Sequence, residues 1–391
     1  MPMSRARVPT RTKATRMPDD YGYLNARVRA MKSRLLSRRT YGELLAQTSV
    51  DELLATLAQT PYRTGIEAAL SRATGWAALR DGLRRDLTAH LGRVRAMVMD
   101  QPDSEAAQLV RILLARWDRT NLLTVLRQQI QGPAGVGGLD GAGTGMLAPV
   151  GELDETALTG LLHQPDLRAM IDLATQWRLP YAGALRGALP EMTATGNPAI
   201  LEAALDRQHA AHIEAWLAGL RPSENTNLVR QVVAWERDLA NLLTALRLRQ
   251  ARLREYPGGR PARLPQAGAN EGAWYLPGGL LAQEPLIALL DEPDAHRVCD
   301  ILAQSQPGDP WRPALAAWVE HGSLTELQRA LDRELTARLV ALFHHDPLTI
   351  APVIAYVAAK ENEARNVRII AAGLVHGLPR EQVAAELYIL E

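Results

Sequence analysis

The sequence predicts an all-α chain built from three similar helical modules, and two observations carry that expectation. The first is composition. Of 391 residues, 47% are hydrophobic but only 5% aromatic, with Phe343 the single phenylalanine, while Leu and Ala dominate. Ala, Leu, Arg, Gln and Glu lose little freedom on entering a helix. No stretch alternates apolar and polar residues convincingly for longer than four positions, so no sheet is expected. The second observation is repetition. "NLLTVLR" (Asn121–Arg127) recurs as "NLLTALR" (Asn241–Arg247), six of seven residues matching at an offset of 120.

If one helical unit is reused, other landmarks must recur in the same order. "ATLAQTPY" ends at Tyr62 and "ATQWRLPY" at Tyr181, 119 positions later, and Pro310–Trp311 places a third aromatic 130 beyond that. An acid then opens a helical stretch, Asp86, Asp206 or Glu334, at 24, 25 and 23 residues past the aromatic. Last comes an acid three residues ahead of an asparagine: Asp118/Asn121, Asp238/Asn241 and Glu363/Asn366. Three ordered landmarks in three places give modules of about 120 residues.

Taken in order, the elements fit this scheme. Residues 1–18 are basic and acid-free with no apolar h-region, so they read as a disordered tail rather than a secretory signal, with Met17 opening the folded part. Module 1, residues 19–145, carries near its start the basic segment "NARVRAMKSRLLSRRTY" (25–41), just after Leu24. There Leu24, Val28, Met31 and Leu35 form an i, i+4, i+7, i+11 apolar stripe, with basic residues on the other faces. Ser49 with Glu52 has capping-box spacing, and Leu53, Leu54 and Leu57 then supply the apolar side of a helix. The module ends in "QGPAGVGGLDGAGTG" (131–145), whose Gly and Pro stop the helix. Module 2, residues 146–272, opens on a helix ending "LLHQPD" and closes on "YPGGRPARLPQAGANEG" (256–272). Module 3, residues 273–391, answers with "LLDEPD", and Ser323 with Glu326 repeats the capping box.

Candidate chemistry is sparse. A net charge of +1, from 44 basic and 43 acidic residues, supplies no concentrated positive field for nucleic acid. The lone Cys299 excludes an internal disulfide and a Cys-based zinc site and fits a reducing, cytosolic compartment. No apolar run approaches the roughly 20 residues that span a bilayer. The Gly-rich linker lacks the G-x-x-x-x-G-K-[ST] pattern that holds phosphate, and no strand precedes it. His344 and His345 would point about 100° apart on a helix. His209 and His212 are better spaced, but no third ligand accompanies them. There is no G-x-S-x-G elbow, and Cys299 reads as a small apolar side chain on a helical stripe. No catalytic residue, cofactor or metal is therefore expected.

The acid-x-x-Asn pairs read as structure, since an Asp and an Asn at i, i+3 share a helix face and hydrogen-bond readily. Three copies fit a repeated polar contact tying each helix to a neighbour inside its module. Arg27, Arg29 and Arg34 are the candidates for a docking face toward an acidic partner or lipid headgroups.

Two stretches carry a family resemblance. "DDYGYLNARVRAMKSRLL" (Asp19–Leu36) resembles the opening of the C subunit of the archaeal and bacterial V/A-type ATPase, counterpart of the eukaryotic d subunit. "DPLTIAPVIAYVAAKENEARNVRIIAAGLVHGLPREQVAAELYIL" (Asp346–Leu390) is still more similar to that family's end, with Asn366, Arg368, Ile369, Ile370, Gly377, Leu378 and Pro379 as its core. The resemblance covers everything from Asp19 onward, specific at the two ends and looser between; the basic tail and the long linker after Gln131 depart from it. It implies a funnel of three helical modules about a pseudo-threefold axis, without catalytic activity. A protein of that family sits on the cytoplasmic side of a membrane rotor ring of proteolipid, takes the tip of the central shaft in its depression, and couples ATP chemistry to proton or sodium movement. The residues alone leave two other readings open, an all-helical adaptor of a different complex and, less favoured, a nucleic-acid-binding helical repeat.

Overall fold

The computed structural model describes residues 21–131, 147–255, 274–305 and 311–390. The basic tail and the two Gly-rich linkers, apart from Gln131, lie outside the described residues. Helix is the only regular structure among those described.

In chain order, α1 (Tyr21–Lys32) precedes a unit of four helices, α2 (Arg38–Leu45), α3 (Val50–Leu57), α4 (Arg63–Leu70) and α5 (Gly75–Ala96). Next come α6 (Glu105–Leu114) and α7 (Arg116–Gln131), which meet at Ala115. A second unit follows: α8 (Glu155–Leu162), α9 (Leu167–Gln176), α10 (Ala182–Thr195) and α11 (Ala199–Gly219). It leads into the long α12 (Glu224–Glu255). The third unit holds α13 (Gln283–Ala288), α14 (Ala295–Ser305), α15 (Arg312–His321) and α16 (Leu324–Ala341). The chain closes with α17 (Ala351–His376) and α18 (Arg380–Glu386).

Local chemistry sets many of these boundaries. Ser49 and Ser323 both cap their helices as their spacing suggested, accepting from the N–H of Glu52 at 3.2 Å and of Glu326 at 3.3 Å. Ser37, Ser104, Asp154 and Asp166 cap α2, α6, α8 and α9 in the same way. Each such cap is worth about 1 kcal/mol.

The repeated fragment buries its apolar side in the unit that follows it. Leu122, Val125 and Leu126 of α7 share one core with Leu158, Met170, Leu185 and Leu205 of the second unit. Leu242, Ala245 and Leu246 of α12 occupy the same relative positions and pack with Leu286, Val298, Leu315 and Leu331 of the third. Val367, Ile370 and Ala371 of α17 pack with Leu44, Leu53, Ile66 and Leu79, which belong to the first. The order is cyclic: the last long helix completes the first unit's core. A fourth core lies between them, where α1, α5, α6, α12 and α17 contribute Val28, Leu91, Leu109, Val229 and Ile354. The apolar stripe read along the first helix serves this core, with Leu24 and Val28 buried and Met31 and Leu35 packed against it.

Candidate functional site

The three acid-x-x-Asn pairs each hold a backbone segment. Asn121 grips Ala148 with both ends of its amide: Nδ2 donates to the carbonyl and Oδ1 accepts from the N–H, each at 2.8 Å. Asp118 accepts from the N–H groups of Glu152 at 2.8 Å and Leu153 at 2.9 Å. Asn241 holds Leu276 likewise, at 3.0 and 2.7 Å, while Asp238 accepts from Leu281 at 2.9 Å. Asn366 holds Tyr388, at 2.8 and 3.2 Å. Glu363 accepts from the N–H of Leu36 and, at 2.8 Å, from the Tyr62 hydroxyl. The sequence suggested ties inside each pair's own module. The structure instead puts the partners of the first two pairs in the segments that open the next unit. The third pair is split: Asn366 holds Tyr388 inside its own module, as expected, whereas Glu363 reaches Leu36 and Tyr62 in module 1. The cause is the apolar side of each long helix, which already faces that unit.

The first two clasped segments need glycine. A Cβ on Gly151 would overlap the Asp118 carboxylate, and one on Gly279 would overlap Asp238. Burial of these acids has an electrostatic cost. It holds the Asp118 carboxyl up at about 6 despite two N–H donors, and raises that of Asp238.

Two further levels bring all three long segments together. At their N-terminal ends Glu105 accepts from the Tyr21 hydroxyl at 3.0 Å, from Asn225 at 3.1 Å and from Ser223, and Asn225 Oδ1 accepts from the Ile350 N–H at 2.8 Å. Eleven residues along each segment, Arg116 donates to Glu236 at 2.7 Å and to Glu361 at 2.9 and 2.8 Å. The same spacing in all three means that they run parallel, with the levels about 16 Å apart at 1.5 Å per residue. Between them lie the buried sets Leu109, Val229, Ile354 and Ile112, Val232, Val357. The ion cluster itself is 24–31% exposed. Burial lifts the Glu361 carboxyl while Arg116 opposes the shift.

A second ion cluster lies where α17 meets α5. Lys360 Nζ stands 2.6 Å from both Asp86 and Glu363 and 4.0 Å from the Tyr62 ring centroid, all of them buried. Burial pushes the Asp86 carboxyl up, but His90 and Lys360 outweigh it and hold the group below its usual range.

The candidate docking arginines do not form one site. Arg27 is exposed on α1, where it donates to the Tyr23 hydroxyl at 2.9 Å, and Arg29 is exposed on the same helix. Arg34 lies beyond the end of α1 and lines a cleft with Arg85 and Arg93. Of the histidines, His209 is pushed down to about 3 by burial, with Arg119 and Arg237 adding to the shift. His344 and His345 are exposed at a helix end. Among the described residues no group of three or more His, Cys, Asp or Glu could hold a metal ion.

The profile of the family described as "ATP synthase (C/AC39) subunit" matches residues 24–386. The chain belongs to the ATP synthase C/AC39 subunit family. Among its relatives, the A-type ATP synthase C subunit of Halorubrum lacusprofundi is 28% identical over 367 residues, covering 94% of this chain and 97% of that protein. The Haloferax volcanii protein of the same description is 26% identical, covering 94% and 97%. The V-type ATP synthase C subunit of Deinococcus radiodurans is 26% identical, covering 95% and 92%. The C/AC39 family supplies a non-catalytic subunit of the rotary ATPase. Among the described residues of this C/AC39 chain, no helix is long and apolar enough to cross a membrane.

The Arg116–Glu236–Glu361 cluster was missed from sequence. Its members each stand two residues before a recurrent acid, a position visible in the register, but their types differ. The clasped segments left a fainter trace, Pro149-x-Gly151 and Pro277-x-Gly279 at an offset of 128.

Proposed function

We propose that this C/AC39 protein is the coupling piece of the central stalk, joining the shaft of the ATPase head to the membrane rotor ring on its cytoplasmic face. In this reading modules 19–145, 146–272 and 273–391 surround a pseudo-threefold axis as a funnel. The observation that carries it is a change of character along the axis at the Arg116 cluster. One turn toward the N-terminal ends, Ile112, Val232 and Val357 are buried; one turn the other way, Thr120 and Arg365 are exposed and Ala240 half-buried. Beyond that level the three helices enter three separate cores, which supports a depression floored by one guanidinium and two carboxylates. The shaft tip seats there.

The opposite end carries exposed apolar groups, Tyr23 at 56% and Leu348 at 65%. These suit apolar loops of the ring proteolipid, with Arg27 and Arg29 beside them on α1. No ATP chemistry is assigned to the chain; its part is mechanical, transmitting torque to drive or harvest proton or sodium movement.

Pull-down of the tagged protein from detergent-solubilised membranes, read by mass spectrometry, tests this. The native chain should recover head, shaft and ring proteins, and E236R/E361R should lose the shaft while keeping the ring. Recovery of an unrelated set of proteins would overturn the reading.

A further inference from the structure

A trough crosses the outward face of α5. One cleft of about 600 Å³ is lined by Arg34, Arg85, Arg93 and His90. A second, of about 430 Å³, is lined by Arg72, Arg84 and again Arg85. The two meet at Arg85 and Ala89. The pattern has a simple origin, because Arg85, Ala89 and Arg93 repeat every four residues and so share a helix face. Ala89, Ala68 and Gly65 are small, which keeps the floor low between the arginines.

The charge is one-sided. Five arginines line the trough against two carboxylates, Asp86 and Glu155, and Asp86 is already paired with Lys360. Arg84 and Arg85 share Asp81, whereas Arg34, Arg72 and Arg93 make no ion pair among the described residues. These three side chains are exposed. With a chain-wide net charge of +1, this concentration is local rather than a reflection of composition.

We infer that the trough is a docking surface for an acidic, extended polypeptide segment of a partner protein. Guanidiniums match carboxylates in geometry as well as charge. Arg85 and Arg93 stand about 12 Å apart along the helix axis, a span of about four residues of extended chain. The trough is recessed, with His90 buried and Arg85 half-buried. A flat lipid surface reaches only its rim, whereas a chain can lay successive carboxylates along it. The inference does not depend on the rotor reading.

The test uses the full chain and a fluorescent decapeptide of alternating glutamate and serine, with a glutamine-for-glutamate peptide as control. Anisotropy titration at low salt should show binding of the acidic peptide alone. R34E/R93E should weaken it by about tenfold or more, since like charges brought together are strongly unfavourable. R168E/R312E, with the same net-charge change elsewhere on exposed surface, should leave it nearly unchanged. R34Q/R72Q supplies a milder variant should the reversal lower the melting temperature. Equal weakening by both reversals, or none by R34E/R93E, would overturn the inference. So would Arg34-dependent binding to phosphatidylserine vesicles without any peptide binding.

Discussion

Asn121 and Asn241 each bond both polar groups of one backbone residue, so an apolar replacement strands the buried Ala148 N–H, whose carbonyl keeps the Val150 N–H, or strips both half-buried groups of Leu276 of their side-chain partner. An unmet buried donor or acceptor costs about 1–3 kcal/mol. Asn121→Leu and Asn241→Leu should therefore each lower the melting temperature by several degrees; unchanged melting would show that the clasps are not structural. Gly151→Ala forces a methyl into the Asp118 carboxylate and should cost about 1–3 kcal/mol. Gly187→Ala, on an open face of α10, should instead be neutral or slightly stabilising. Equal effects from the two would contradict the close approach.

Asp118 also makes a pH prediction. Its carboxyl sits at about 6 in the folded chain against 3.8 for the free group, and burial is the main cause. A raised folded value means that the folded state holds the proton more tightly. The stabilisation is thus complete below about pH 4 and is lost as pH rises through 6. The stability of the native chain relative to Asp118→Asn should grow as pH falls from 7 to 4. A difference independent of pH would show that Asp118 titrates normally.

At the scale of elements, the third clasp differs from the other two. α7 and α12 are continuous in sequence with the units whose cores they complete, whereas α17 meets the first unit only through non-covalent contacts. This seam holds Lys360 between Asp86 and Glu363; the positions equivalent to Lys360 are Ala115 and Trp235. Lys360→Met would leave two buried carboxylates facing each other, a loss of about 3–5 kcal/mol by analogy with other broken buried pairs. Hydrogen exchange should then show α17 and α2 losing protection ahead of α7. Uniform loss along the chain would contradict a separate seam.

The register of the long helices was legible because Leu122, Leu242 and Val367 and their neighbours keep one apolar pattern, and serine caps marked helix starts. What stayed hidden depends on contacts across the fold. Arg116, Glu236 and Glu361 share a place in the repeat but not a residue type, so only the three-dimensional meeting reveals them. The clasp partners were equally hidden, since a side chain that binds backbone leaves no requirement on the partner's own side chain beyond the glycines. Arg34, grouped with Arg27 and Arg29 by proximity in sequence, belongs to another face because α1 ends at Lys32.

For the whole molecule, the proposed rotor role rests on one axis with two unlike ends. The end near Tyr21 and Glu105 is drawn together by hydrogen bonds and shows apolar groups to solvent, while beyond Arg116 the helices enter three separate cores, between which the proposed depression would lie. Torque transmission asks for such a division, with one partner at each end and a stiff packed body between. The most direct measurement is site-specific photo-crosslinking in the assembled complex, with the reactive residue placed at Thr120 in one chain and at Leu348 in another. Thr120 should capture a shaft protein, and Leu348 the ring proteolipid. Capture of the same partner from both positions, or of the ring from Thr120, would contradict that role.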